Sequence, residues 1–419
     1  MTADTSGRTS PRFSLGCGDR FGYEGRAQLR AFVLARQQGI PVVPVWNKSH
    51  REHRLTGTRP ADVRREADEA VAALGWSEPY YVDADHVTAS TLADFVTDCD
   101  FFTLDVAEAI GRPPPPEAEA RLRDRARTWL GRPLPLPYGD WRPTAAELDA
   151  AVRRQAAPIE AARAAWERLR ALLGERSVHV EVSMDETSQP QSLADLWVIL
   201  IGLADAGVPV HTLAPRFPGA FHKGVDYEGD PTQFGRRLEE ALTLLRYARE
   251  ELGIPAHARL SLHSGSDKFR LYPVIREVLH RTGEGLHVKT AGTTWLEEVV
   301  GLVRAGSEGA AIVREIYRRA LDQAATLLAP YAAVVSVDVS RLPPAHELAA
   351  WSADHLAAAI VHDPSSPKYW PELRQFFHVA YPVAAAIPEF HEALRAYREF
   401  IEPGVTFNLL ERHLRPLFG

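Results

Sequence analysis

Eight short apolar segments, each closed by polar residues and most separated by stretches of helical periodicity, constrain this 419-residue chain more than any other feature. They are Phe13–Gly16, Pro41–Trp46, Tyr80–Val82, Phe101–Leu104, Val178–Val182, Val208–Leu213, Arg259–Leu262 and Leu286–Val288. The stretches between them carry helix signals. Glu24–Gln38 is amphipathic, Pro60–Leu74 starts on proline, and Leu193–Ala204 follows Gln189-Pro190. Asp230–Leu252 opens on an Asp-Pro cap, and Thr294–Ala305 follows Ala291-Gly292-Thr293. Strand–helix alternation implies a parallel sheet with helical crossovers. Eight strands suit a closed, TIM-like (β/α)8 barrel better than an open doubly wound sheet. The open sheet also lacks its dinucleotide fingerprint, because Gly16, Gly18 and Gly22 have the wrong spacing for G-x-G-x-x-G.

Two segments extend the barrel. Residues 111–176, between strands four and five, hold two proline-rich stretches and read as a helical insertion. Residues 294–419 read as a helical C-terminal extension packed on the barrel. Residues 1–11 are rich in Ser and Thr and read as a disordered tail, which leaves 12–419 as one catalytic domain. A formal net charge of -7 gives no footprint for nucleic acid or an anionic membrane. No apolar run reaches the length of a membrane span. Two cysteines, Cys17 and Cys99, make neither a disulfide framework nor a metal motif, and a reduced, cytoplasmic protein is expected.

In such barrels the chemistry gathers at the C-terminal ends of the strands. Here those ends carry Asp19 and Arg20, Asn47 and Lys48, Asp85 and His86, Asp105, Asp185 and Glu186, Arg216, and His263 through Lys268. On strand five, His179, Glu181, Ser183 and Asp185 alternate with apolar residues, so period two puts the polar set inside the barrel. Carboxylates buried there need a cation or hydrogen-bond partners. Glu181 is therefore either catalytic or part of a satisfied ion-pair layer. His86, His263 and His287 end strands three, seven and eight. With neighbouring carboxylates they would suit a divalent metal such as Zn, Mn, Co, Ni or Fe. The alternative for each histidine is an ordinary structural hydrogen bond. Arg216, Lys268 and Lys289, with Asp185, form a candidate binding set for an anionic substrate, and Lys223 adds charge at the mouth. Pairing of these cations with Asp185, Asp226 or Asp267 is the alternative. There is no G-x-S-x-G and no P-loop.

A series of longer motifs resembles the tagaturonate (fructuronate) epimerase family. Ser14–Gly22 is similar to its opening strand, Asp83-Ala84-Asp85-His86-Val87 to its "ADHV" segment, and Phe101–Ala107 to the segment that follows. Glu181–Thr187 is similar to its "EVSxDET" strand. Leu213–Phe217, Lys223–Tyr227, Leu262–Phe269, His287–Thr293 and Glu411–Phe418 follow in the family's order. The resemblance covers most of residues 13–418 and is weakest over 111–176. It implies interconversion of D-tagaturonate and D-fructuronate with a divalent metal, and a related tagatose/fructose 4-epimerisation as the alternative.

The two ketouronates differ at a carbon β to the ketone, whose hydrogen the ketone does not acidify directly. Retro-aldol cleavage and re-addition on the other face of the aldehyde is the route expected. Asp85 and Glu181 would serve as base and acid, His86, His263 and His287 would hold the metal, and the cations would retain the carboxylate. Hydride removal would need a bound nicotinamide. A barrel isomerase or aldolase on another sugar acid, and a non-catalytic sugar-acid binder, remain the other readings. A homo-oligomer stays open.

Overall fold

All eight apolar segments become strands in the computed structural model, which describes residues 11–187, 189–264, 266–290 and 292–419. They are β1 (Phe13–Cys17), β2 (Val43–Ser49), β3 (Tyr81–Val87), β4 (Phe101–Asp105), β5 (His179–Ser183), β6 (Thr212–Ala214), β7 (Arg259–His263) and β8 (Leu286–Thr290). They pair in parallel in chain order, and β8 closes onto β1 with Gly16 opposite Lys289. This is a closed (β/α)8 barrel. Its outward residues, such as Val180, Val182, Leu260 and Val288, are fully buried under helices.

Two strands run further than their apolar letters suggest. β3 continues through Asp83 and Asp85 to Val87, and β2 through Asn47 and Lys48 to Ser49. These polar residues are buried, so polarity does not end the strand here. β6 is shorter than expected, because Val208 and Val210 are buried on the approach to it rather than paired within it.

The helices follow their caps. They are α1 (Gly25–Gln37), α2 (His50–Thr56), α3 (Pro60–Leu74), α4 (Pro116–Arg127), α5 (Ala145–Leu173), α6 (Leu193–Asp205), α7 (Pro231–Glu251), α8 (Tyr272–Thr282) and α9 (Thr293–Arg304). Ser49 and Glu52 form a capping box that starts α2 directly where β2 ends. The segment 111–176 contains the barrel's own crossover helix, since α5 packs along α6 and on β4. The additional matter is α4 and a link pinned by the Leu134–Trp141 bridge.

The C-terminal extension shares one apolar cluster with the barrel, running from Leu15 to Leu417. A buried ion pair fastens it. Asp267, after β7, meets Arg374, and the imidazoles of His362 and His413 lie 3.3 and 3.4 Å from its oxygens. Arg374 also donates to the carbonyls of Gly224 and Ile360, both at 2.6 Å. The loop it holds is strained, with Ser266 at φ 86°. No helix among the described residues is long and apolar enough to cross a membrane. Cys17 and Cys99 are buried and unpaired with each other. Apart from Pro11, the tail expected over residues 1–11 lies outside the described residues.

Not every buried charge is matched. Glu24 caps α1 without a side-chain bond, and neither of its oxygens has a hydrogen-bond partner among the described residues. Burial, reinforced by Asp19, lifts its carboxyl from 4.5 to about 8. Below pH 4.5 folded and unfolded states both hold the proton; between 4.5 and about 8 only the folded state does. Stability from this group therefore falls as pH rises through that window. Glu24→Gln should remove about one proton from the pH-linkage of unfolding and raise stability at pH 8 by roughly 1–4 kcal/mol. Urea unfolding at pH 5 and pH 8 measures both.

Candidate active site

Lys289 enters the barrel from β8, and its ammonium is 2.7 Å from Asp83, 2.9 Å from Asp85 and 2.9 Å from Glu181. Thr103 accepts a further hydrogen bond from it. Three carboxylates thus share one cation, all of them nearly or fully buried. Burial opposes charge on Lys289, but Asp83, Asp85 and Glu181 overcome it and hold the ammonium well above its usual range. Burial likewise opposes ionisation of Asp85, yet Lys289 brings that carboxyl down to about 2. Glu181 is held well below the carboxylate range, with Lys289 and His263 outweighing burial. Asp83 is lifted by burial to about 7 despite Lys289.

Above this layer lies a cleft of about 250 Å³ at the C-terminal mouth. Strand alternation aims Glu181 and Ser183 inward from β5, and Arg259, Ser261 and His263 from β7, while Asp185, just past β5, lines the cleft. On β3 the same rule would bring Asp85 in and turn His86 away. A register shift between Ala84 and Val87 and a left-handed φ of 51° at His86 break the alternation, so both side chains reach the cleft.

His86, Asp185 and His263 then converge, with ligand atoms all within 4.8 Å of one another. His263 Nε2 pairs with Glu181 Oε1 at 2.8 Å. Its Nδ1 lies 3.0 Å from Asp185 Oδ1 but is buried without a well-directed hydrogen bond. His86 Nδ1 pairs with Asp105 Oδ2 at 3.2 Å. Each imidazole thus has one nitrogen backed by a carboxylate and the other left toward the cluster, the pattern of histidine metal ligands. Burial disfavours charge on His263, but Asp185 and Glu181 raise it to about 9. His86 is raised in the same sense, with Asp85 and Asp105 overcoming burial. The carboxylates favour positive charge here, whether carried by imidazolium protons or by a bound cation. The residues fit a divalent metal.

The other predicted residues divide. Asp85, Arg216 and Lys289 line the cleft. Arg216 donates to the carbonyl of Asp185 at 3.3 Å. Glu181 is fully buried beneath and touches Lys289 and His263, so it acts through them. His287 does not join the cluster. Period two carries it inside the barrel one layer below Lys289, where its Nδ1 meets Ser14 Oγ at 2.8 Å and its ring lies 5.3 Å from Phe101. Burial lowers it to about 3, and Asp185 takes the place given to it in the ligand set. Lys268 is not in the cleft either. It is fully buried and donates to the carbonyls of His222, Val225 and Ser266 at 2.7–2.9 Å, bracing the loop after β7.

Sequence reasoning missed Glu52, Arg51 and Tyr331, which also line the cleft. The Ser49-x-x-Glu52 capping signature was available for the first two; Tyr331, in the C-terminal extension, carries no local signal.

The family model described as UxaE, tagaturonate epimerase, matches residues 4–386. The chain belongs to the tagaturonate epimerase family. A tagaturonate/fructuronate epimerase of Thermotoga maritima is 30% identical over 394 residues, covering 89% of this chain and 73% of that protein. Crystal structures of the fructuronate-tagaturonate epimerase UxaE of Cohnella laeviribosi have the same architecture. One with two glycerols has a TM-score of 0.79 at 25% identity, covering 98% of this chain and 82% of the other. The native form gives 0.77 at 26% identity, covering 97% and 81%. Family membership makes this chain an isomerase-class enzyme and places the eight-stranded barrel and the C-terminal helices in one known architecture.

In this epimerase fold Lys289 is the countercharge of an acidic layer. Lys289→Met should abolish activity and cost about 3–5 kcal/mol at pH 7, because it strands buried carboxylates. The loss should shrink at pH 5, where those carboxylates take up protons more readily. Urea unfolding at the two pH values checks this.

Proposed function

We propose that this enzyme interconverts D-tagaturonate and D-fructuronate by retro-aldol cleavage and re-addition, with a divalent metal held by His86, Asp185 and His263. The convergence of those three side chains beside Asp85, in the cleft of a chain from this family, carries the reading. A cation bound there would act as a Lewis acid toward the substrate's ketone oxygen.

The chain's own groups supply the rest. Asp85 lines the cleft as a carboxylate, held so by Lys289, and would accept the proton of the hydroxyl on the carbon being inverted. As that proton leaves, the hydroxyl carbon becomes an aldehyde. The electrons of the bond to the carbon beside the ketone pass to the ketone fragment. The aldehyde turns, the bond re-forms on its other face, and Asp85 returns the proton to the same oxygen. Glu181 is a positioning residue, fixing His263 through Nε2 and Lys289 through its ammonium. Arg216, anchored on the Asp185 carbonyl, lines the cleft beside the substrate. The buried, unpaired thiols suit a cytoplasmic setting.

Chelated protein should lose turnover of D-tagaturonate and regain it with one of Zn, Mn, Co, Ni or Fe. His263→Ala should fall at least about a thousand-fold under the same conditions. Borohydride added during turnover should trap an aldehyde fragment. Full activity after exhaustive chelation would overturn the metal. Turnover of tagatose but not of tagaturonate would move the substrate to the neutral ketoses.

A further inference from the structure

The charges of the cleft fall into two zones. In the inner zone they are matched within the protein: Asp85 with Lys289, Asp185 with His263, and Glu52 with Arg20 at 3.5 Å. At the rim they are not. Arg51, on α2, Lys223, on the loop between β6 and α7, and Arg216 have no carboxylate at ion-pair distance among the described residues, but the Arg216 guanidinium is turned onto the Asp185 carbonyl at 3.3 Å. Glu52 and Glu186 reach Arg51 only by longer-range attraction.

Both rim cations nevertheless face one aromatic ring. The Arg51 guanidinium is 4.7 Å from the centroid of Tyr331, and the Lys223 ammonium is 6.0 Å from the same centroid. Tyr331 is buried and fixed, since its hydroxyl meets that of Tyr381 at 3.0 Å. Tyr381 in turn lies under Arg20, at 3.7 Å. The Lys223 loop is tied to the same segment, because its backbone N–H donates to the Val334 carbonyl at 2.7 Å. Cation–π attraction orients two cations but does not neutralise them. Two cations tethered to one ring in the lining of one cleft, with no carboxylate paired to either, favour an anion in that part of the cleft. A planar guanidinium and an ammonium suit a carboxylate, one group pairing bidentately and the other as a point charge. Lys268, by contrast, has its three donors satisfied by backbone carbonyls.

We infer that Arg51 and Lys223, positioned on Tyr331 from the C-terminal extension, bind the terminal carboxylate of the substrate and set the preference for a ketouronate over a neutral ketose. The inference rests on the uronate reading above. It makes the extension part of substrate selection, with Tyr331 as a positioning residue.

The test measures kcat/KM of the metal-loaded enzyme for D-tagaturonate and D-tagatose, and calorimetric Kd for D-galactonate against galactitol, which cannot react. Arg51→Gln and Lys223→Gln should each lower the uronate-to-ketose ratio of kcat/KM about ten- to a hundred-fold, mainly through KM, and weaken galactonate by a similar factor. Arg51→Lys should recover part of the loss, and Tyr331→Leu should lower the same ratio. Circular dichroism confirms folding of each variant. Galactonate bound equally by wild type and both Gln variants, or not bound in preference to galactitol by wild type, would overturn the inference. Wild type that binds galactonate through Arg51 but does not turn over tagaturonate would overturn the proposed reaction and leave this site standing.

Discussion

The Nζ of Lys289 faces Asp83, Asp85 and Glu181 inside a barrel from which the surrounding helices exclude water. Three carboxylates at such depth would repel one another and take up protons without it. With it, two remain ionised, and each supports a different part of the cleft. Glu181 passes its charge upward to His263, and Asp85 presents a carboxylate at the floor. The layer is a foundation for the site, and its energetic cost is offset by the apolar shell outside the strands.

The barrel was legible because its pattern repeats eight times. Each strand is short, apolar on its outer face and closed by turn or cap residues, and no single ambiguous segment could change the count. Strand ends were less legible, since Asn47, Lys48, Asp83 and Asp85 are polar letters that stay within strands and are buried there. The inward face of β5 was read from period two alone.

Period two could not distinguish His287 from His263. Both point inward, but depth along the strand separates a histidine under the lysine layer from one above it. Nor could it place His86 next to Asp85, because adjacent residues belong on opposite faces until a bulge re-aims one of them. Lys268 misled for a different reason. A lysine beside an aspartate at a strand end looks like an anion site, but its ammonium is consumed by carbonyls that converge only in the folded loop. Tyr331 was invisible because nothing local marks a residue whose partners lie on α2 and after β6.

The Asp267 anchor also sets the order in which the enzyme can be made. His413, which lies against Asp267, is separated from β7 by most of the C-terminal extension, and Arg374 and Tyr331 fall between. During synthesis the eight strands emerge well before these groups. Until His413 has left the ribosome, the Asp267 loop lacks its full set of partners. The enzyme's competence is a late event in translation, because a chain that stops after β8 lacks Arg374, His362 and His413, the partners of Asp267, and the Tyr331 side of the cleft.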